Sequence, residues 1–250
     1  MIDQDSYAAV ARATITRFLA TQRDAITEAG RLVAASLLDG GVLQAFGTGH
    51  SRSVALELVG RAGGLVPANQ LGIRDLVYYG DATVGDILDP LVERETGLAQ
   101  RILELARIEP VDVFVVASNS GGNAAVVEMA QLATRRGHPL IAITSLAHTR
   151  SITPRHPSGQ RLADLADVVI DNCAPYGDAA VALPGGDQVG PLSNLTGVLA
   201  ANLLVAEVAG RYVAAGAAPP LFRSLNAPGN DEHNADLLAR YGSRVRLGDA

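Results

Sequence analysis

Apolar residues fall into two alternating rhythms along the chain. Residues 42–46, 113–117, 140–144 and 168–171 form short runs that are apolar almost throughout. Such runs read as strands buried on both faces, and residues 65–71 read as a further strand. Between them the apolar spacing changes to three and four residues. Ala9, Ile15, Phe18, Leu19, Ile26, Leu32 and Val33 recur at helical steps across residues 6–38. That predicts one long helix or two consecutive ones, closed by the turn Asp39-Gly40-Gly41. Further helices are predicted over residues 51–61, 86–107, 124–136 and 162–166, and from Pro191 to about Tyr212. Strands alternating with helices predict an α/β protein with a doubly wound, parallel, five-stranded sheet between two helical layers. Residues 1–40 read as an N-terminal helical arm, 41–212 as the sheet domain and 213–250 as a C-terminal tail that contributes to the site.

Two loops stand out from this pattern. Gly47-Thr48-Gly49-His50-Ser51 follows the first run, and Ser118-Asn119-Ser120-Gly121-Gly122-Asn123 follows the third. Each reads as strand, Gly/Ser-rich turn, then helix. A helix start offers unpaired N–H groups and a positive dipole end, and glycines let an anion come close. Thr48, Gly49, His50, Ser51, Ser118, Asn119, Ser120 and Asn123 are therefore the candidate ligands of a phosphorylated small molecule. In a doubly wound sheet both loops fall beyond the carboxyl ends of the strands, where ligands bind. Ordinary helix capping explains the same residues less specifically. His148, Arg150, Arg155 and His156 form a basic loop after the fourth strand; it reads as a cover for the phosphate or as solvated surface.

Composition narrows the chemistry. The 250 residues contain no lysine, so all 20 basic residues besides histidine are arginines. Schiff-base and pyridoxal-phosphate chemistry and a Walker A loop are thereby excluded. A net charge of −6 argues against non-specific nucleic-acid binding. One cysteine, Cys173, allows no intrachain disulfide. The N-terminus lacks the basic-then-apolar pattern of a signal peptide, and no stretch reads as a bilayer span, so a cytoplasmic location is expected. No His pair has i, i+4 spacing and there is no Cys cluster, so no metal is expected. Gly47-x-Gly49-x-x-Arg52 lacks the third glycine of a dinucleotide fingerprint.

These loops together resemble a SIS (sugar isomerase) domain. Ser118-Asn119-Ser120-Gly121-Gly122-Asn123 is similar to that family's Ser-x-Ser-Gly-x-Thr/Asn phosphate loop, and Gly47-Thr48-Gly49-His50-Ser51 to its Gly-x-Gly-x-Ser loop. Pro191-Leu192-Ser193-Asn194-Leu195-Thr196 is similar to the start of its last domain helix. The resemblance spans roughly residues 38–209. It implies a flavodoxin-like three-layer fold, a phosphorylated sugar as ligand, no cofactor, and a homodimer or homotetramer with sites near the interface. Glu57-Leu58-Val59-Gly60-Arg61 resembles the Glu-Leu-x-Gly-Arg of phosphoheptose isomerases, which implies a catalytic Glu57; an ion pair with Arg61 at i+4 is the alternative. The tail from Ser224 to Asn234 looks like a branch related to phosphoheptose isomerases and to enzymes of N-acetylhexosamine phosphate metabolism. Glu232 and His233 are its candidate catalytic groups, with a capped terminal helix as the alternative. The chemistry implied is C2 proton abstraction on an amino-sugar phosphate. Loss of the C3 hydroxyl of N-acetylglucosamine 6-phosphate is the favoured outcome. Isomerisation, epimerisation and a non-catalytic phosphosugar sensor stay open.

Overall fold

The computed structural model describes residues 2–247. The chain opens with α1 (Gln4–Thr21) and α2 (Arg23–Leu38), then β1 (Leu43–Gly47), α3 (Arg52–Leu58), β2 (Ala68–Leu71) and the short α4 (Asp75–Tyr78). It continues with α5 (Leu98–Glu104), β3 (Val113–Ala117), α6 (Ala124–Arg135), β4 (Leu140–Thr144), α7 (Leu146–Thr149), α8 (Leu162–Leu165) and β5 (Val168–Asp171). A hairpin of β6 (Ala179–Ala182) and β7 (Gln188–Pro191) precedes the long α9 (Ser193–Ala214), and α10 (Asp231–Ala239) closes the tail.

The five-stranded sheet has the order β2-β1-β3-β4-β5, and every pair is parallel. Alternate residues of each strand point to opposite faces. Leu43, Ala45, Val113 and Val115 join Val33, Val54, Ala200 and Leu204 on the side of α2, α3 and α9. Phe46, Phe114, Val116 and Leu140 join Ile102, Met129 and Ala130 on the side of α5 and α6. Burying a side chain the size of Phe114 contributes about 1.5–3 kcal/mol, so this double core dominates stability.

The N-terminal arm is two helices. Asp3 caps the first by accepting the Ser6 N–H at 3.0 Å, and the break falls at Gln22. Gln22 Oε1 accepts the Asp171 N–H at 2.9 Å, which pins the break to the end of β5. The helix expected over residues 86–107 is shorter. It resolves into 3-10 turns at Val84–Ile87 and Val92–Arg94, followed by α5. Pro90 and the left-handed Gly97 interrupt it, and Glu128 of α6 accepts the Gly97 and Ala99 N–H groups at 2.8 and 2.9 Å. The helix after the first loop stops at Leu58 rather than Arg61, because Gly60 turns the chain at φ +68. The second strand begins at Ala68, three residues later than expected. Leu65 instead forms a bridge with Leu221 of the tail. The β6–β7 hairpin is a further element that the apolar pattern did not indicate.

One expectation about membranes needs correcting. The 22-residue α9 is long and apolar enough to cross a bilayer by length and composition. Here it packs against α2 and α3, with Thr196, Ala200, Ala201, Leu204 and Val208 buried.

Candidate functional site

β1 and β3 are neighbours, yet the chain leaves β1 towards β2 and leaves β3 towards β4. Their carboxyl ends therefore form the topological switch point of the sheet, where a crevice opens. Both Gly/Ser-rich loops start there. Gly47 is required because the turn folds back on it: a Cβ would lie 2.6 Å from the Ser51 carbonyl oxygen. Gly121 adopts φ +60, and a Cβ there would press on the Thr144 and Thr149 hydroxyls at 3.1 Å.

The loops present unpaired donors. Among the described residues, the backbone N–H groups of Gly49, His50, Ser120, Gly122 and Asn123 have no acceptor. Such runs of main-chain donors at helix starts are anion sites. Thr48 is buried, whereas Gly49 and His50 are exposed and Ser51 is half-buried. Neither Thr48 nor Ser51 caps its helix through its side chain. Ser118 Oγ accepts the Gly121 N–H at 3.1 Å and so closes the second loop from within. The Asn119 carbonyl accepts the Ser145 N–H at 3.2 Å, and Asn119 Oδ1 accepts from Asn172 at 3.2 Å. These bonds tie the second loop to the ends of β4 and β5. The half-buried Ser120 hydroxyl makes no hydrogen bond with a described residue.

Asn123 heads α6 but does not cap it. Its Nδ2 donates to Glu93 Oε1 at 2.6 Å, and its Oδ1 accepts from Arg155 Nη1 at 2.9 Å. Glu93 Oε2 lies 3.7 Å from where a Cβ on Gly49 would stand. A half-buried carboxylate thus sits between the two loops, with an arginine on the far side of Asn123. Sequence reasoning missed Glu93 because it fell inside an expected helix. Of the basic loop, only Arg155 reaches these residues. His148 stacks on Tyr176 with ring centroids 5.2 Å apart and accepts the Gly177 N–H at 2.9 Å; burial pushes its pKa down. His156 bonds Ser158, and Arg150 is exposed.

Of the three residues expected to be catalytic, Glu57 stands on the helix that leaves the first loop, and Glu232 and His233 stand in the tail. Glu57 points into the groove between α3 and α9, pairs with Arg61 and accepts Asn202 Nδ2 at 2.6 Å. Its side chain is 15% exposed, so it is an ion-paired group at the edge of that groove. Glu232 and His233 ride on α10. The His233 Nε2 lies 3.2 Å from the Leu221 carbonyl oxygen, and Phe222 pairs with Gly63 and Gly64. That segment leads into the amino end of β2, so α10 packs at the opposite end of the strands from the loops, and the chain beyond it runs back along β2 as far as Arg246. A five-residue strand spans roughly 16 Å, and a single copy does not bring Glu232 or His233 to the switch point. Among the described residues no group of three His, Cys, Asp or Glu side chains gathers as a metal site.

The comparisons agree with this architecture. The model of the SIS domain matches residues 6–145. A UPF0309 protein of Caldanaerobacter subterraneus subsp. tengcongensis is 35% identical over 236 residues, covering 93% of this chain and 94% of its own. A phosphoheptose isomerase from Francisella tularensis superposes with a TM-score of 0.55 at 15% identity, over 82% of this chain and 95% of that one. The Vibrio vulnificus NanR protein complexed with ManNAc-6P gives 0.51 at 19% identity, over 84% of this chain and 63% of that one. At these identities the two structures show a shared fold.

Proposed function

The chain belongs to the SIS domain family, and from that premise we propose that it is a cofactor-independent phosphosugar enzyme. Its reaction is C2 proton abstraction on an amino-sugar phosphate, ending in dehydration of N-acetylglucosamine 6-phosphate. The observation that carries this reading is the pairing of unpartnered loop amides with the Glu93 carboxylate at one switch point. The phosphate rests on Ser120, Asn123 and the second-loop amides, with Arg155 as counter-charge. That anchor positions the reacting carbons near Gly49 and Glu93. In the open-chain aldehyde the C2 proton is acidic, and Glu93 takes it. The C–H electron pair first forms the C1=C2 enolate, with its charge on the C1 oxygen, and the enolate then re-forms the carbonyl and pushes its pair into the C2=C3 bond as the C3–O bond breaks. Glu93 then returns the proton to the departing hydroxyl, and water leaves. The Gly49 and His50 amides stabilise the enolate as preorganised donors. His50 serves ring opening; His233 and Glu232 would take part only from a second copy, in a homodimer or homotetramer.

The test is proton NMR in D2O with N-acetylglucosamine 6-phosphate. A new vinyl signal is expected, and Glu93→Gln should slow it by about 100-fold or more while ligand binding persists. Deuterium at C1 or C2 without a vinyl signal would turn the reading to isomerisation or epimerisation. One observation favours a non-catalytic sensor instead: Glu232 and His233 stand away from the loops within the chain, and Glu57 is engaged by Arg61 and Asn202. Binding with no exchange in any phosphosugar would select that reading.

A further inference from the structure

Asn123 stands at the start of α6 with extended backbone, φ −71 and ψ 148. An asparagine at such a place ordinarily turns its side chain back onto the free N–H groups of the helix. This one turns outward and joins two charged groups. Its Nδ2 donates to Glu93 Oε1 at 2.6 Å, and its Oδ1 accepts from Arg155 Nη1 at 2.9 Å. The amide cannot be turned round, because a guanidinium only donates and a carboxylate only accepts. The half-buried Glu93 side chain has no other hydrogen-bond partner among the described residues, so Asn123 alone orients it. Arg155 is fastened from behind. Its backbone N–H donates to the Gly122 carbonyl at 2.8 Å, and the Leu162 N–H donates to the Gly121 carbonyl at 2.8 Å. The segment that carries Arg155 is thus seated on the second loop. Apart from the bond to Asn123, the exposed Arg155 guanidinium makes no hydrogen bond or ion pair with a described residue, so its remaining donors are open to an oxyanion.

We propose that Asn123 is a positioning residue: its side-chain amide couples Arg155 to Glu93, so that a phosphate bound at the second loop fixes the Glu93 carboxylate. A phosphate on the free donors of Arg155 holds an otherwise solvated side chain in place. Arg155 then holds the amide, and the amide holds Glu93. Hydrogen bonds in such a chain strengthen one another. The Asn123 main-chain N–H stays available to the phosphate itself. The inference rests on the phosphosugar reading for its ligand and deepens it: the phosphate end of the sugar both anchors the substrate and sets the group that acts on it.

The experiment follows the whole chain by NMR during titration with inorganic phosphate. It reads the Ser120 and Gly122 backbone amides and the Glu93 carboxylate carbon, which is assigned by its loss in Glu93→Gln. Asn123→Ser is run beside the unaltered protein; serine starts helices as well as asparagine does, so α6 keeps its beginning. Arg155→Gln, at an exposed position, is the second variant. Phosphate should move the loop amides in the unaltered protein and in Asn123→Ser, but the Glu93 signal in the unaltered protein only. Arg155→Gln should lose the Glu93 response as well. In turnover of N-acetylglucosamine 6-phosphate, Asn123→Ser should lower kcat about tenfold or more while KM stays within about threefold. A Glu93 response that persists in both variants, or an unchanged kcat in Asn123→Ser, overturns the proposal. Phosphate that moves the loop amides but never Glu93 overturns it and leaves the phosphosugar reading standing; phosphate that moves neither ends both. A Glu93 response lost in both variants of a chain that turns over no phosphosugar keeps the coupling and removes the enzyme reading.

Discussion

The two ends of β3 treat polar groups in opposite ways. At its amino end Asp112 is fully buried and saturated. It accepts from the Val42 and Glu109 N–H groups, from Gln44 Nε2 and from Arg244. Gln44 in turn accepts from Asn69 at 2.8 Å, and Asn69 accepts the Arg246 N–H at 2.9 Å. A polar ladder thus crosses three strands and ends on the chain's own tail. At the carboxyl end of β3 the Ser120, Gly122 and Asn123 amides find no acceptor among the described residues. One end is closed by protein and contributes stability; the other is left for a ligand. A sheet of aligned strands yields both, because main-chain donors at helix starts can be filled either way.

The largest effect should come from the closed end. Asp112→Ala leaves Arg244 buried without its partner and should cost about 3–5 kcal/mol in urea unfolding. Phosphosugar affinity of the folded fraction should hold; a parallel loss of affinity would mean that the two ends are not independent. Ser120→Asp attacks the open end by setting a negative charge among the free amides. It should weaken phosphosugar binding by at least about 2 kcal/mol in calorimetry, while the unfolding midpoint barely moves. Arg155→Ala removes an exposed counter-charge and should weaken binding by about 1 kcal/mol, with stability kept within about 0.5 kcal/mol. Unchanged affinity there would place the phosphate away from Asn123.

The smallest effect is a pH dependence. His138 is buried beside Asp112, and burial pushes its pKa below the usual 6.5, although the Asp112 carbonyl and carboxylate oppose the shift. The folded state therefore favours neutral imidazole. The unfolded chain binds the extra proton first, so stability is complete above about pH 6.5 and declines as pH falls towards the depressed value. His148 carries the same sign. Thermal unfolding across this window should flatten in His138→Asn; an unchanged slope would assign the dependence to other groups.

The five strands were legible because nearly every strand residue is buried, so the apolar runs survive without context. The β6–β7 hairpin was not. Its stretch Ala182-Leu183-Pro184-Gly185-Gly186-Asp187 is exposed and reads as a loop. The broken helix before α5 escaped because its cap is Glu128, a carboxylate 31 residues away from Gly97. In the site, the loops announced themselves through glycine and serine next to apolar runs. Glu93 carried no such signal, since only the folded path of residues 84–97 sets it beside Asn123. Glu57, Glu232 and His233 were chosen by resemblance, which reports residue type and order. Where a side chain points in one copy depends on packing, and Asn202 and the Leu221 carbonyl engage Glu57 and His233.

The partnership of Asp112 with Arg244 also orders events in time. The two residues are separated by 132 positions. At about 5–20 residues per second of synthesis, the carboxylate is made roughly 7–26 s before its counter-ion. Through that interval the amino end of β3 holds a charge that burial would leave unpaired. The Val42, Gln44 and Glu109 donors can hold the Asp112 carboxylate first, and the charge pair closes only after Arg244 has been made.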